Sequence, residues 1–189
     1  MNFAPLHPNA AASQSVAYPL DEFYLRSRLS LPPLDQIHGA AVPEPYKSLL
    51  VHDRDMTSTL EGFYNTSIHL RIFSRQQHGD EYFREVVLAL DGSERPVEFG
   101  AIKIYLNRFP APARHEIRRE HFPLGHILKD FALEYQSRPK AFLRIASDKT
   151  INTMLELSGA HLLYGRRNTL LNASGDPLAE IVEILPPTR

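Results

Sequence analysis

The sequence predicts an α+β fold with a mainly antiparallel sheet. Three observations lead there. The patterns run in the order helix, several strands, helix, strands; two stretches read as β-hairpins; and 189 residues make one domain, long enough for a full core and a small-ligand cavity.

Residues 1 to about 18 are rich in Ala, Ser, Pro and Asn and read as a loosely held arm. "LDEFYLRSRL" then reads as a short helix, followed by a proline-punctuated stretch from Leu31 to Pro45. The first strong helix pattern is "PEPYKSLLVHDRDMTSTLEGFY". Pro43 and Pro45 suit a first turn, and Leu49, Leu50, Met56, Leu60 and Phe63 supply apolar positions. Asp53 or Asp55 is placed to cap a second segment within it. "TSIHLRIF" alternates Ile68, Leu70 and Ile72 against His69, Arg71 and Phe73, as a half-buried strand does. "REVVLAL", a turn at "DGSERP" and "VEFGAIKIYL" form one hairpin. "PLGHILKDFALEY" places Leu124, Ile127, Leu128, Phe131 and Leu133 near helical spacing. "GRRNTLLNASGDPLAEIVEIL" is a second hairpin, turning at "NASGDP".

Composition excludes several function classes. With 43% hydrophobic and 23% charged residues the chain is ordinary for a soluble globular protein. A net charge of -1 recruits neither nucleic acid nor an acidic membrane, and the basic clusters "ARHEIRREH" and "YGRR" are too few for a nucleic-acid stripe. The N-terminus lacks the basic and apolar regions of a secretory signal, and no run approaches a membrane span. A cytoplasmic protein is expected. There is no cysteine, so disulfides, thiolate metal sites and a cysteine nucleophile are excluded.

Motifs with fixed chemistry are equally sparse. In "HEIRREH" the two histidines stand six residues apart, roughly 240° around a helix, whereas a zinc-protease helix needs them four apart on one face. No G-x-S-x-G elbow, P-loop or dinucleotide fingerprint occurs. The candidates left are ionic residues within apolar strand patterns. Arg84, Arg166 and Arg167 each adjoin such a strand, and arginine presents a planar fork that grips a carboxylate bidentately. In "GDPLAEIVEILPP" alternation separates the two acids: Glu183 shares a face with Ala179, Ile181 and Leu185, and Glu180 shares the other with Leu178, Val182 and Ile184. Arg166 and Arg167 divide between faces in the same way. A carboxylate on an apolar face needs a structural partner or a ligand.

"LLVHDRDMTSTLEGF", "REVVLALDG", "FPLGHIL", "YGRRNTLLNASGDPL" and "EILPP", in this order, resemble the successive signature segments of chorismate lyases over roughly residues 45 to 187. The resemblance implies a chorismate lyase-like domain at 45–189 behind a proline-rich arm with a short helix at 1–44. It implies one antiparallel sheet of about six strands, helices packed on it and a ligand enclosed beneath helical flaps. The implied activity is a carbon–oxygen lyase that eliminates pyruvate from chorismate to leave 4-hydroxybenzoate, commonly on the way to ubiquinone, without metal or organic cofactor. Carried over by residue, Glu183 and Arg84 are the expected catalytic residues. Met56, Arg84, Leu124 and Glu183 are the expected binding residues, with Arg166 or Arg167 on the pyruvyl carboxylate. Gly100-Ala101 departs from a Gly-Arg pair frequent in the family. Two alternatives stand beside this reading: a non-catalytic aromatic-acid-binding module of the same fold, as in ligand-sensing domains of some bacterial transcription regulators, and a lyase making a different hydroxybenzoate.

Overall fold

In the computed structural model, which describes residues 15–188, the apolar alternation resolves into seven strands: β1 (Leu34–Ile37), β2 (Ile68–His78), β3 (Glu81–Leu90), β4 (Pro96–Tyr105), β5 (Gln136–Ala146), β6 (Leu162–Leu171) and β7 (Pro177–Leu185). They form one antiparallel sheet of order β1-β5-β6-β7-β4-β3-β2. The two hairpins read from the sequence, β3–β4 and β6–β7, join through β4 and β7, so the sheet's centre is made of its most apolar strands. β7 and β4 are buried along nearly their whole length, as expected of strands covered on both faces.

Among the described residues six short α-helices accompany the sheet: α1 (Leu20–Arg26), α2 (Tyr46–Leu50), α3 (Met56–Tyr64), α4 (Ala111–Arg119), α5 (Leu124–Asp130) and α6 (Lys149–Met154). Asp55 caps α3, its side chain accepting from the Ser58 amide at 2.8 Å, and Asn65 ends that helix in the left-handed conformation. Of the arm expected over residues 1 to about 18, residues 1–14 lie outside the described residues.

One face of the sheet packs on α1 and α6 around Phe83, Val87, Phe99, Val182 and Ile184. The other carries two clusters. One gathers Ile102, Ile104 and Ile181 with Ile117 of α4 and Leu124, Ile127 and Leu128 of α5; the second gathers Leu88 and Leu185 with Leu50 of α2 and Met56 and Leu60 of α3. Between these clusters the sheet is roofed but not filled.

The roof is latched. His126 Nε2 of α5 lies 3.0 Å from Glu61 Oε1 of α3, and that oxygen also accepts from the Ile68 amide at 3.1 Å, tying both helices to the start of β2. The two helices are in close contact at Gly125, where an added Cβ would stand 2.8 Å from both Asp55 Oδ1 and Thr57 Oγ1. Gly125→Val is therefore expected to pry α5 from α3 and cost about 1–3 kcal/mol, as other overpacking substitutions do. Gly62→Ala, in α3 with open space around it, is expected to gain roughly 0.5–1 kcal/mol. Urea unfolding midpoints of the two variants, moving in opposite directions, check this.

Candidate functional site

Beneath the roof lies a cavity whose floor is the sheet. Arg84, Val86 and Leu88 come from β3, Glu98, Gly100 and Ile102 from β4, Ile181 and Glu183 from β7, and Asn168 and Leu170 from β6. Met56 and Thr57 of α3 and Leu124, Gly125 and Leu128 of α5 close it from above. Its volume is about 60 Å³, a small space lined chiefly by apolar side chains. Gly100 keeps the floor flat: a Cβ there would stand 3.1 Å from Glu98 Oε1 and 3.2 Å from Val86 Cγ2.

Period-two alternation decides which charges face this space. Arg84 points into it from the middle of β3, and its residue is only 2% exposed. Its Nε and Nη1 meet no hydrogen-bond partner among the described residues. Burial pulls the guanidinium below its usual pKa, with the Tyr82 hydroxyl and Glu120 acting in the opposite sense. Arginine nevertheless stays cationic in a protein. The cavity thus holds a buried cation with two unused donors.

Glu183 also faces this side, and Glu180 the other, as alternation requires. Glu180 accepts from Thr169 Oγ1 at 2.8 Å and lies 3.7 Å from Arg167 Nη2. Arg167, named as a binding candidate, is therefore corrected: its neighbour Arg166 stands opposite Glu183, and a regular strand turns the next side chain away. Ala101 likewise packs on the far face, so the absence of a cation there leaves the cavity unchanged.

Arg166 does not reach for a ligand. It is fully buried, and its Nε donates to Glu183 Oε2. Nη1 donates to the carbonyls of Leu50 at 3.2 Å and His52 at 3.1 Å, and Nη2 to that of Arg54 at 3.1 Å. The pair fastens the α2–α3 connection against the sheet. His52 belongs to the same network. Burial, then the Arg166 charge, lowers its pKa, which leaves the ring neutral, with Nε2–H donating to the Leu49 carbonyl at 2.7 Å and Nδ1 facing Arg166 Nη1 at 3.3 Å.

Glu98 is the residue that the sequence reading missed. It sits on β4 two residues before Gly100, is 4% exposed, and its Oε2 meets no hydrogen-bond partner among the described residues. Burial raises its pKa well above the ordinary carboxylate value and the Glu183 charge raises it further, while Arg166 opposes them. The folded state therefore holds this proton more tightly than the unfolded chain. The resulting stabilisation is complete below the ordinary value of 4.5 and is lost as pH rises through the folded value. Glu98→Gln is expected to flatten the decline in melting temperature between about pH 5 and pH 8 and to leave the protein at least as stable at the upper end; melts across that range check it.

Among the described residues no group of acidic or histidine side chains is arranged to hold a metal ion, and no helix is long and apolar enough to cross a membrane.

No protein-family model matches this chain, and no curated protein matches it. Solved structures do. The effector domain of PhnF from Mycobacterium smegmatis aligns with a TM-score of 0.53 at 11% identity, over 71% of this chain and 90% of that one. YydK of Bacillus subtilis, described as a possible transcriptional regulator, aligns at 0.51 and 10% identity over 90% and 92%. The ligand-binding domain ascribed to a GntR-family transcriptional regulator of Bordetella bronchiseptica aligns at 0.50 and 12% identity over 65% and 87%. The α+β expectation holds: this is the fold that such ligand-binding domains share with chorismate lyases.

The expectation of a carbon–oxygen lyase is corrected. The proteins that share this sheet include transcriptional regulators and their ligand-binding domains. In this chain Glu183, one of the two expected catalytic residues, is engaged by Arg166, and a carboxylate paired in that way accepts hydrogen bonds.

Proposed function

We propose that this chain is a non-catalytic module that binds a small aromatic carboxylate. The observation that carries the reading is Arg84: a buried cation, with two donors unpartnered among the described residues, aimed into a small apolar cavity. Leaving such a group unpaired costs several kcal/mol of desolvation, on the order of what a bound carboxylate recovers through two charge-assisted hydrogen bonds. Val86, Leu88, Ile102, Ile181, Met56 and Leu124 supply the apolar walls that a ring needs. The likeness to effector and ligand-binding domains supports a role in sensing.

Isothermal titration of the purified chain with benzoate and its substituted forms tests this. The expected result is one site per chain, with chorismate incubated on the same protein releasing no pyruvate above the uncatalysed background. Absence of binding by every aromatic acid sinks the ligand class; pyruvate release sinks the non-catalytic reading.

A further inference from the structure

One acid acts on Arg84 from outside the cavity. Glu120 ends α4 in the left-handed region, at φ 62°. Its Oε1 accepts from the Tyr82 hydroxyl, and its Oε2 lies 2.9 Å from Arg75 Nη1. Both contacts flank Arg84. Tyr82 stands two residues before it on β3 and so on the same face, and Arg75 of β2 is its cross-strand partner in register. Two arginines directly opposite each other repel, and a carboxylate beside them offsets that repulsion. Tyr82 and Glu120 accordingly support the Arg84 charge against burial. Burial and the bond to Glu120 in turn keep the Tyr82 phenol protonated and donating. The acids that line the cavity are engaged elsewhere: Asp55 accepts from Ser58 and Tyr135, Glu183 holds Arg166, and Glu98 responds to Glu183, Arg166 and Asp55. Glu120 also governs the roof. His121, Phe122 and Pro123 run from it into α5, and Pro123, Leu124, Gly125 and Leu128 line the cavity. Its two contacts hold down the connection from which the roof helix starts.

We propose that Glu120 is a positioning residue of this site: through Tyr82 and Arg75 it couples an anion at Arg84 to the α4–α5 connection, opposing the anion's binding and being loosened by it. This rests on the reading of Arg84 as the anchor of an aromatic carboxylate. A carboxylate at Nε and Nη1 takes over as counter-ion and brings a second negative charge close to Glu120, so the hold of Glu120 on β2 and β3 weakens. Linkage makes the effect reciprocal: the factor by which the anion weakens that hold is the factor by which the hold weakens the anion's binding. Occupancy of the cavity is thereby read out on the surface of the protein, at the link between two roof helices.

The experiment titrates benzoate into the wild-type chain, Glu120→Gln and Arg75→Gln, and follows amide exchange at His121, Phe122 and Leu124 with and without benzoate. Glu120→Gln keeps the shape of the side chain and an acceptor for Tyr82 but removes the charge, and is expected to bind benzoate about fivefold more tightly or better. Arg75→Gln, an exposed substitution, leaves the Glu120 charge to bear on Arg84 alone and is expected to bind benzoate less tightly than wild type. Benzoate is expected to speed exchange of the three amides in wild type by about fivefold. In Glu120→Gln they are expected to exchange fast without ligand and to respond little to it. Affinity unchanged or lowered in Glu120→Gln, even with faster exchange, marks a purely structural Glu120 and overturns the coupling; so do amides indifferent to benzoate in wild type. Either result leaves the aromatic-acid reading intact. Failure of benzoate to bind the folded wild-type chain removes the reading beneath the coupling, and the coupling with it. Melting curves of both variants confirm that an altered affinity comes from the charge and not from a lost fold.

Discussion

Arg84→Met is expected to abolish aromatic-acid binding while leaving the empty protein as stable as before, or more so. The two halves have one cause. Burial disfavours the charged form of Arg84, and its Nε and Nη1 meet no partner among the described residues, so without a ligand the guanidinium is a net cost to folding. Methionine fills much of the same volume with a flexible apolar chain and removes that cost. In the complex the same guanidinium is the ligand's counter-ion, and truncating one partner of a buried, hydrogen-bonded charge pair costs about 2–5 kcal/mol, at least roughly a thirtyfold loss of affinity. Arg84→Lys keeps the charge but not the planar fork, and is expected to fall between the two. Titration calorimetry and urea unfolding read the two halves separately. Should Arg84→Met prove strongly destabilising with binding retained, Arg84 is part of the scaffold and the anion lies elsewhere.

That exchange of stability for binding also explains which parts of the molecule were legible in the sequence. The β3–β4 and β6–β7 hairpins were readable because "DGSERP" and "NASGDP" concentrate turn residues between apolar runs. The α3 cap at Asp55 was readable for a similar local reason. β5 was not. Pro139 interrupts its alternation, and the register shifts between Pro139 and Ala141, so no clean period-two run survives. The four-residue β1 gains its strand character only by pairing with β5. The α4 helix buries just Ala113 and Ile117 along its length, which leaves "HEIRREH" looking like a solvated stretch when no neighbours are in view.

The site divides along the same line. Alternation separated Glu183 from Glu180 and Arg166 from Arg167 correctly, because both strands are regular where those residues sit. It could not tell a ligand contact from an ion pair, since Arg166 and Glu183 meet across a strand boundary that the sequence does not display. Glu98 carried a signal of the same kind as Glu183, an acid within a strand apolar on both faces. Burial of the whole of β4 between β3 and β7 gives it its meaning.

Glu183→Leu is expected to be the most destabilising of these substitutions, by about 3–5 kcal/mol, because it strands the Arg166 charge in the interior. For a chain of this size that is a fall of roughly 6–20 °C in melting temperature. Arg166→Met is expected to cost a comparable amount by a different route. It leaves the Glu183 carboxylate unpaired and deprives the carbonyls of Leu50, His52 and Arg54 of their donor. The two losses overlap in the pair they share, so the double variant Arg166→Met/Glu183→Leu is expected to be less destabilised than the sum of the single ones, with a coupling on the order of 1–3 kcal/mol. Hydrogen exchange separates the parts: amides between Val51 and Asp55 are expected to exchange faster in Arg166→Met and in the double variant, because the guanidinium that holds this connection is gone. In Glu183→Leu they are expected to stay closer to wild type, since the backbone acceptors of Arg166 remain. Strictly additive losses, with that connection unchanged in all three proteins, would show that the pair is incidental to the fold. The coupled outcome instead makes Arg166 and Glu183 the fastening of the roof, and leaves Arg84 and Glu98 as the charged residues of the cavity that carry atoms unpartnered among the described residues.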